Sequence, residues 1–229
     1  MAGDSQPSLD KSAFIDFMLA QQVLQFGEFT LNSGRVSPYF FNMGEVSDGA
    51  AFAQLGQAYA AAIVASGLEF DVLFGPAYKG IPIAVATAVA LAEHGRSVGV
   101  AYNRKEAKDH GEGGMLVGAQ VAGRVLLIDD VLTSGKAIRS AVDLIKGTQA
   151  DIVGAIIAMD REEYREEYRE ESTVQQDTAV AALAAELDAP VMSIANLHDL
   201  IAYLEQSDSS AAQQTLAGMR DYQARYCRL

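Results

Sequence analysis

The stretch "VLLIDDVLTSGKAIRSAVDLI" (125–145) constrains the fold more tightly than any other part of the chain. Four apolar residues, Val125 to Ile128, run directly into two adjacent carboxylates, Asp129 and Asp130. A short apolar run that stops so abruptly is the pattern of a buried strand. Thr133, Ser134 and Gly135 then form a turn. Beyond it Ile138, Ala141, Val142 and Ile145 recur at i, i+3, i+4 and i+7, one face of a helix stopped near Gly147.

The same strand–loop–helix order extends to both sides. "FDVLFG" (70–75) predicts a strand, "PAYKG" a loop, and "IPIAVATAVALAEHG" (81–95) a helix with Pro82 in its first turn and Gly95 past its end. Further strands are predicted in "SVGVAYN" (97–103), "RVLLID" (124–129) and "DIVGAIIAMD" (151–160). Strands alternating with helices give an α/β fold, a mostly parallel central sheet flanked by helices. Such sheets bind ligands at the carboxyl ends of their strands. "PAYKG", "DDVLTSGK" and the loop after Met159 all leave that edge.

Before this core, "SAFIDFMLAQQVLQFG" (12–27) has helical spacing, and "EFTLNSGRVSPYFFNMG" (28–44) has a turn at Asn32-Ser33-Gly34 between two extended runs. A helix and hairpin capping the sheet are expected. The chain therefore divides as one domain, 1–229, with a hood over about 1–50, the α/β core over about 51–205 and a tail over 206–229. "EEYREEYREE" (162–171) has the spacing of a solvated helix laced with i,i+4 ion pairs. "EQSDSSAAQQ" (205–214) is expected to be exposed.

Charge narrows the partners. The 229 residues carry a formal net charge of −13. Nucleic acid and anionic membrane surfaces need a broad basic face, so neither is expected as a partner. The single cysteine, Cys227, cannot form an internal disulfide, and "MAGDSQPSLDK" lacks the basic and apolar regions of a signal peptide. A cytoplasmic protein is expected. Arg104, Lys105, Lys108 and His110 nevertheless cluster in "RKEAKDH" (104–110), a local cationic patch suited to a small anion. The three histidines, 94, 110 and 198, lack metal-ligand spacing, so no protein-held metal is expected.

The opening stretch does not match G-x-x-x-x-G-K-[ST], since it has one glycine and no hydroxyl after Lys136. Its mechanics are related all the same. A turn between a strand and a helix converges backbone N–H groups on one phosphate. Two acids in the same pocket would repel that phosphate, so they must face hydroxyls or a cation. A sugar phosphate meets both demands. The simpler reading, a strand ending in N-capping Asp, Thr or Ser residues, stays open on this stretch alone.

"VLLIDDVLTSGKA" resembles the 5-phosphoribosyl 1-diphosphate (PRPP) signature of type I phosphoribosyltransferases. Four further blocks, "FGEFTLNSGRVSPYFFNMG", "FGPAYKGIPIA", "NRKEAKDHGEGG" and "DLIAYLE", narrow the resemblance to bacterial orotate phosphoribosyltransferases. It runs from about Val23 to Leu204. It implies transfer of ribose 5-phosphate from PRPP to orotate, giving orotidine 5′-monophosphate and diphosphate, with Mg²⁺ held mainly by the substrate. By position it implies that Asp129 and Asp130 hold the ribose hydroxyls. Val131, Leu132, Thr133, Ser134, Gly135, Lys136 and Ala137 would form the 5-phosphate loop, and Tyr78 and Lys79 the diphosphate loop, where a non-proline cis peptide is common. Arg104, Lys105, Lys108 and His110 would contact PRPP and diphosphate, with Lys108 and His110 also catalytic beside the acid pair. Phe40, Phe41, Thr133 and Arg161 would meet orotate. A homodimer whose lids reach across the interface is implied as well.

The chemistry agrees with this assignment. Breaking the bond from ribose to diphosphate builds positive charge on the sugar and negative charge on the leaving group. Lys79, Lys105 and Lys108 suit the second, and the acid pair the first. "EAKDHGEGGMLVG" (106–118), polar and rich in glycine, is expected to be a closing loop that excludes water. Of Phe40 and Phe41, neighbours on one strand, one should pack inward and the other should face the pyrimidine. Two positions depart from the family pattern: Asn32 stands where lysine is usual, and Lys136 where a small hydroxyl is usual. A non-catalytic regulator on the same fold and a phosphoribosyltransferase for another base are the competing readings.

Overall fold

The computed structural model describes residues 10–31, 33–108, 114–132, 135–164 and 177–227. Eight strands and seven α-helices follow one another as α1 (Lys11–Ala20), β1 (Leu24–Thr30), β2 (Val36–Phe41), α2 (Gly49–Ser66), β3 (Val72–Gly75), α3 (Gly80–Glu93), β4 (Gly99–Lys108), β5 (Gly114–Gly118), β6 (Ala122–Val131), α4 (Lys136–Lys146), β7 (Gln149–Asp160), α5 (Ala179–Leu187), β8 (Val191–Asn196), α6 (Leu197–Glu205) and α7 (Ser210–Tyr226) among the described residues. The main sheet has the order β5-β4-β3-β6-β7-β8, and all its pairings are parallel except β4 with β5. β1 and β2 form a separate antiparallel hairpin. No described helix is long and apolar enough to cross a membrane.

Strand β6 shows why the sheet is covered on both faces. Side chains alternate along a strand, so Val125 and Leu127 point one way and Leu126 and Ile128 the other. Val125 and Leu127 pack with Ile138, Ala141, Val142 and Ile145 of α4 and Leu183 of α5. Leu126 and Ile128 join the larger core of α1, α2, α3, α6, α7 and the hairpin. All four periodic positions of α4 are buried, and Gly147 caps its end. Burial of one helical face at this spacing is the main source of the helix's stability.

Three expectations are corrected. The helical spacing over 12–27 overruns: α1 ends at Ala20, and Leu24 already pairs with Phe41 of β2. Val23 and Leu24 are buried, so hairpin pairing takes residues that the helical pattern also claimed. The segment 106–118 is not simply a loop. β4 continues through Lys108 and pairs with β5 from Ala101–Gly118 to Lys108–Gly114. Gly118 permits this at φ +98°, where an added Cβ would lie 2.3 Å from the Val100 carbonyl oxygen. Glu163 and Tyr164 are not helical but form antiparallel bridges with Cys227 and Thr178; 165–176 lie outside the described residues. Within the C-terminal tail, helix α7 packs inward. Leu216, Met219 and Tyr222 of α7 are buried in the larger core against the hairpin.

Candidate active site

The acid pair ends β6 at the carboxyl edge of the sheet. Asp129 is 8% exposed and its Oδ1 accepts the backbone N–H of Asp130 at 3.0 Å. The buried Tyr59 hydroxyl donates to the Asp129 carbonyl at 2.7 Å, which fixes the strand end against α2. Burial and the neighbouring Asp130 carboxylate push Asp129 above the usual carboxylate range, while the Asp130 N–H and Lys79 act against them. Asp130 turns outward and pairs with Lys79, Nζ to Oδ2 2.9 Å. The same ammonium donates to Asn42 Oδ1 at 3.2 Å, so Lys79 links the acid pair to the end of the hairpin.

Lys79 is placed by the "PAYKG" loop between β3 and α3. Ala77 N–H donates to Asn103 Oδ1 at 3.1 Å, tying the loop to β4, and the Ala77–Tyr78 peptide is cis. Tyr78 is 62% exposed, and Lys105 Nζ lies 4.7 Å from the centre of its ring. Arg104 Nη1 donates to the Gly114 carbonyl at 3.4 Å across the β4–β5 hairpin. The loop and the hairpin thus bring Lys79, Arg104 and Lys105 to one side of the acids.

Two clefts open here. The larger, about 570 Å³, is walled by Phe40, Phe41, Asn42, Asp160 and Arg161. The smaller, about 290 Å³, is bounded by Tyr78 and by Gly135, Lys136 and Ala137 at the start of α4. Lys79, Asp130, Val131 and Leu132 line both. Asp130 therefore stands between a roomy aromatic cleft and a small one at a helix N-terminus, and Asp129 lines the smaller.

Within the larger cleft Phe40 is 37% exposed and stacks on Phe29 with ring centres 5.5 Å apart, while Phe41 packs against the core. Arg161 is 7% exposed. Burial opposes its charge, but Tyr39, Glu163 and Tyr222 outweigh burial and its pKa is raised. Asp160, beside it, is pushed up to about 6 by burial, with Glu162 and Glu163 adding to the effect.

The family profile described as phosphoribosyl transferase domain matches residues 42–190. The orotate phosphoribosyltransferase of Vibrio cholerae is 52% identical over 215 residues, 93% of this chain and 96% of that protein. That of Edwardsiella ictaluri is 53% identical over 214 residues, with the same coverage. The chain belongs to the orotate phosphoribosyltransferase family. In structure it is similar to the Francisella tularensis orotate phosphoribosyltransferase, with a TM-score of 0.80 and 35% identity over 94% of this chain and all of that one. The fold is the type I phosphoribosyltransferase fold that the resemblance implied, with the mostly parallel, helix-flanked sheet that alternating strands and helices predict.

For an orotate phosphoribosyltransferase, the sequence placed most of its expected site residues where the clefts are. Tyr78, Lys79, Asp129, Asp130, Val131, Leu132, Gly135, Lys136 and Ala137 line the smaller cleft, and Phe40, Phe41 and Arg161 the larger. Asn32, His110, Thr133, Ser134 and the side chain of Lys108 lie outside the described residues. Sequence reading missed Asn42, Tyr59, Asn103, Asp160 and Glu163. Asn42, Tyr59 and Asn103 act on partners 37, 70 and 26 positions away, where no local spacing can signal them.

Proposed function

We propose that this chain transfers ribose 5-phosphate from PRPP to orotate, giving orotidine 5′-monophosphate and diphosphate in pyrimidine biosynthesis. The observation that carries the reading is Asp130 on the wall shared by two unlike clefts, with Asp129 beside it in the smaller one. A flat pyrimidine suits the cleft of Phe40 and Phe41, and the 5-phosphate suits the start of α4, since the positive end of a helix dipole favours an anion. The ribose then lies between them, with its hydroxyls on Asp129 and Asp130. Arg161 is the cation available for the carboxylate of orotate.

As the bond to diphosphate lengthens, positive charge grows on the ribose beside the two carboxylates. Lys79 begins paired with Asp130 and lies toward the diphosphate side, so it can pass from the acid to the leaving group as negative charge accumulates there. Arg104 and Lys105 add charge on the same side, and Lys108 and His110 would close from the β4–β5 hairpin. Tyr59 and Asn42 do not react. They hold Asp129 and Lys79 in place.

The described residues include no cluster of three or more metal-ligating side chains. The adjacent carboxylates of Asp129 and Asp130 beside a bound diphosphate fit Mg²⁺, which binds through one or two carboxylates together with substrate phosphates. The diphosphate and ribose oxygens would hold most of it, and its contribution would be to neutralise the leaving group. A homodimer in which Lys108 closes over the partner's site completes the reading.

The test follows orotate absorbance with PRPP and Mg²⁺, then with EDTA, and repeats the assay with uracil, adenine and hypoxanthine. Loss of orotate that EDTA abolishes is expected. Turnover of another base in preference to orotate would refute the substrate, and no turnover of any base would leave a PRPP-binding regulator.

A further inference from the structure

Arg161 is held by more of the protein than any other charged group in the cleft. Its Nε donates to Glu163 Oε1 at 2.6 Å, and its Nη2 to Ser37 Oγ at 3.1 Å and to the Tyr222 hydroxyl at 3.4 Å. The guanidinium carbon lies 4.3 Å from the centre of the Tyr39 ring. Tyr222, from α7, donates its own hydroxyl to the same Glu163 Oε1 at 2.6 Å. Glu163 Oε2 meanwhile takes Arg35 Nη1 at 3.3 Å. The backbone is fixed too: Tyr164 N–H donates to the Tyr226 carbonyl at 2.9 Å, and the Cys227 thiol to the Arg161 carbonyl at 3.6 Å.

Among the described residues, nothing accepts a hydrogen bond from Arg161 Nη1. Arg161 lines the larger cleft, so the N–H groups of Nη1 are free to take an acceptor from a molecule bound there. A planar carboxylate is the acceptor that guanidinium geometry matches best. Where Nη1 sits depends on Nε and Nη2, and these depend on Glu163 and Tyr222.

We infer that Glu163 and Tyr222 are positioning residues for base selection, holding Arg161 so that Nη1 meets the carboxylate of orotate. This rests on the proposed orotate role of Arg161. Tyr222 of α7, distant in sequence from every substrate-facing motif, thereby helps to set which base is accepted.

Tyr222→Phe is the sharpest variant. It keeps the ring, with its edge contact to Tyr39 and its tilted contact to Tyr226, and deletes only the hydroxyl. In the full-length enzyme KM for orotate should rise roughly fivefold to tenfold, the scale of one ordinary net hydrogen bond, with kcat and KM for PRPP held within about twofold. Inhibition by orotidine 5′-monophosphate should weaken by a similar factor. Inhibition by uridine 5′-monophosphate, which lacks the carboxylate, should not. Glu163→Gln should act in the same direction, and Arg161→Gln more strongly. If Arg161→Gln raises KM for orotate while Tyr222→Phe and Glu163→Gln leave it unchanged, the positioning role is wrong. It is equally wrong if the two nucleotides lose affinity together. If Arg161→Gln itself spares orotate, the underlying assignment of that arginine falls, and the inference with it.

Discussion

Asp129 is buried beside a second carboxylate, which is an expensive place for a negative charge. On the proposed reading, positive charge developing on the ribose offsets that expense. Asp129→Asn keeps the acceptor for the Asp130 N–H and removes the charge, so kcat should fall roughly a hundredfold while KM for PRPP changes far less. Steady-state kinetics decide this, and a change confined to KM would make the pair a binding clamp. Because its pKa lies above the carboxylate range, the acidic limb of kcat/KM should too. Lys79 lowers that pKa, so Lys79→Ala should move the limb to higher pH. Asp160 gives a separate test. Its folded-state pKa of about 6, against 3.8 ordinarily, means that the folded chain holds a proton the unfolded chain has released. Stability is therefore lost as pH rises through this window and is unaffected below it. Asp160→Asn should be more stable than the parent at pH 8 by about 1–3 kcal/mol, and the gain should shrink steadily toward pH 4. Urea unfolding at several pH values measures it.

The loop between β3 and α3 depends on two glycines facing each other. A Cβ on Gly75 would lie 2.1 Å from the Gly80 carbonyl oxygen, and one on Gly80 would lie 2.8 Å from Pro76 Cδ and 2.9 Å from the Ile128 carbonyl oxygen. This close approach sets Tyr78 and Lys79 over the acid pair. Gly80→Ala should destabilise the fold by about 1–3 kcal/mol, the usual range for overpacking, and raise KM for PRPP as the loop is displaced. Unchanged urea unfolding and KM would show that the contact is easily relaxed. Elements of this kind, with local signals, were readable from the chain. The buried face of α4 follows from four residues at helical spacing, and β3, β6 and β7 from apolar runs ending at turns. α2 was not readable, because Ala60, Ala61, Ala62 and Ile63 are all buried and no single stripe marks its inward face. The β4–β5 pairing escaped notice because polar residues such as Lys105 and Glu106 resemble a loop until a partner strand is supplied. The Arg161 anchorage escaped for a related reason: Tyr222 is 61 positions away.

At the scale of the whole molecule, the larger cleft is roofed by parts from both halves of the sequence. The β1–β2 hairpin supplies Phe40 and Phe41, β7 leads into Arg161, and α7 packs behind the hairpin through Tyr222. If lids also cross between two copies, Lys108→Ala and Asp129→Asn proteins, each strongly impaired, should regain activity on mixing well above the sum of the two, since hybrid dimers rebuild one complete site. No recovery after verified subunit exchange would mean that each lid serves its own chain. The packing of α7 behind the hairpin has a consequence for synthesis. A ribosome makes the hairpin long before α7, and early segments emerge while later ones are still being translated. Until α7 arrives, Tyr39 and the guanidinium of Arg161 have lost the neighbour that covers them. A message cut short before Ser210 would encode every acid and cation of the clefts and still deliver a nascent chain with an open hood. Such a product would be marked for disposal by exposed aromatic surface rather than by any missing reactive group.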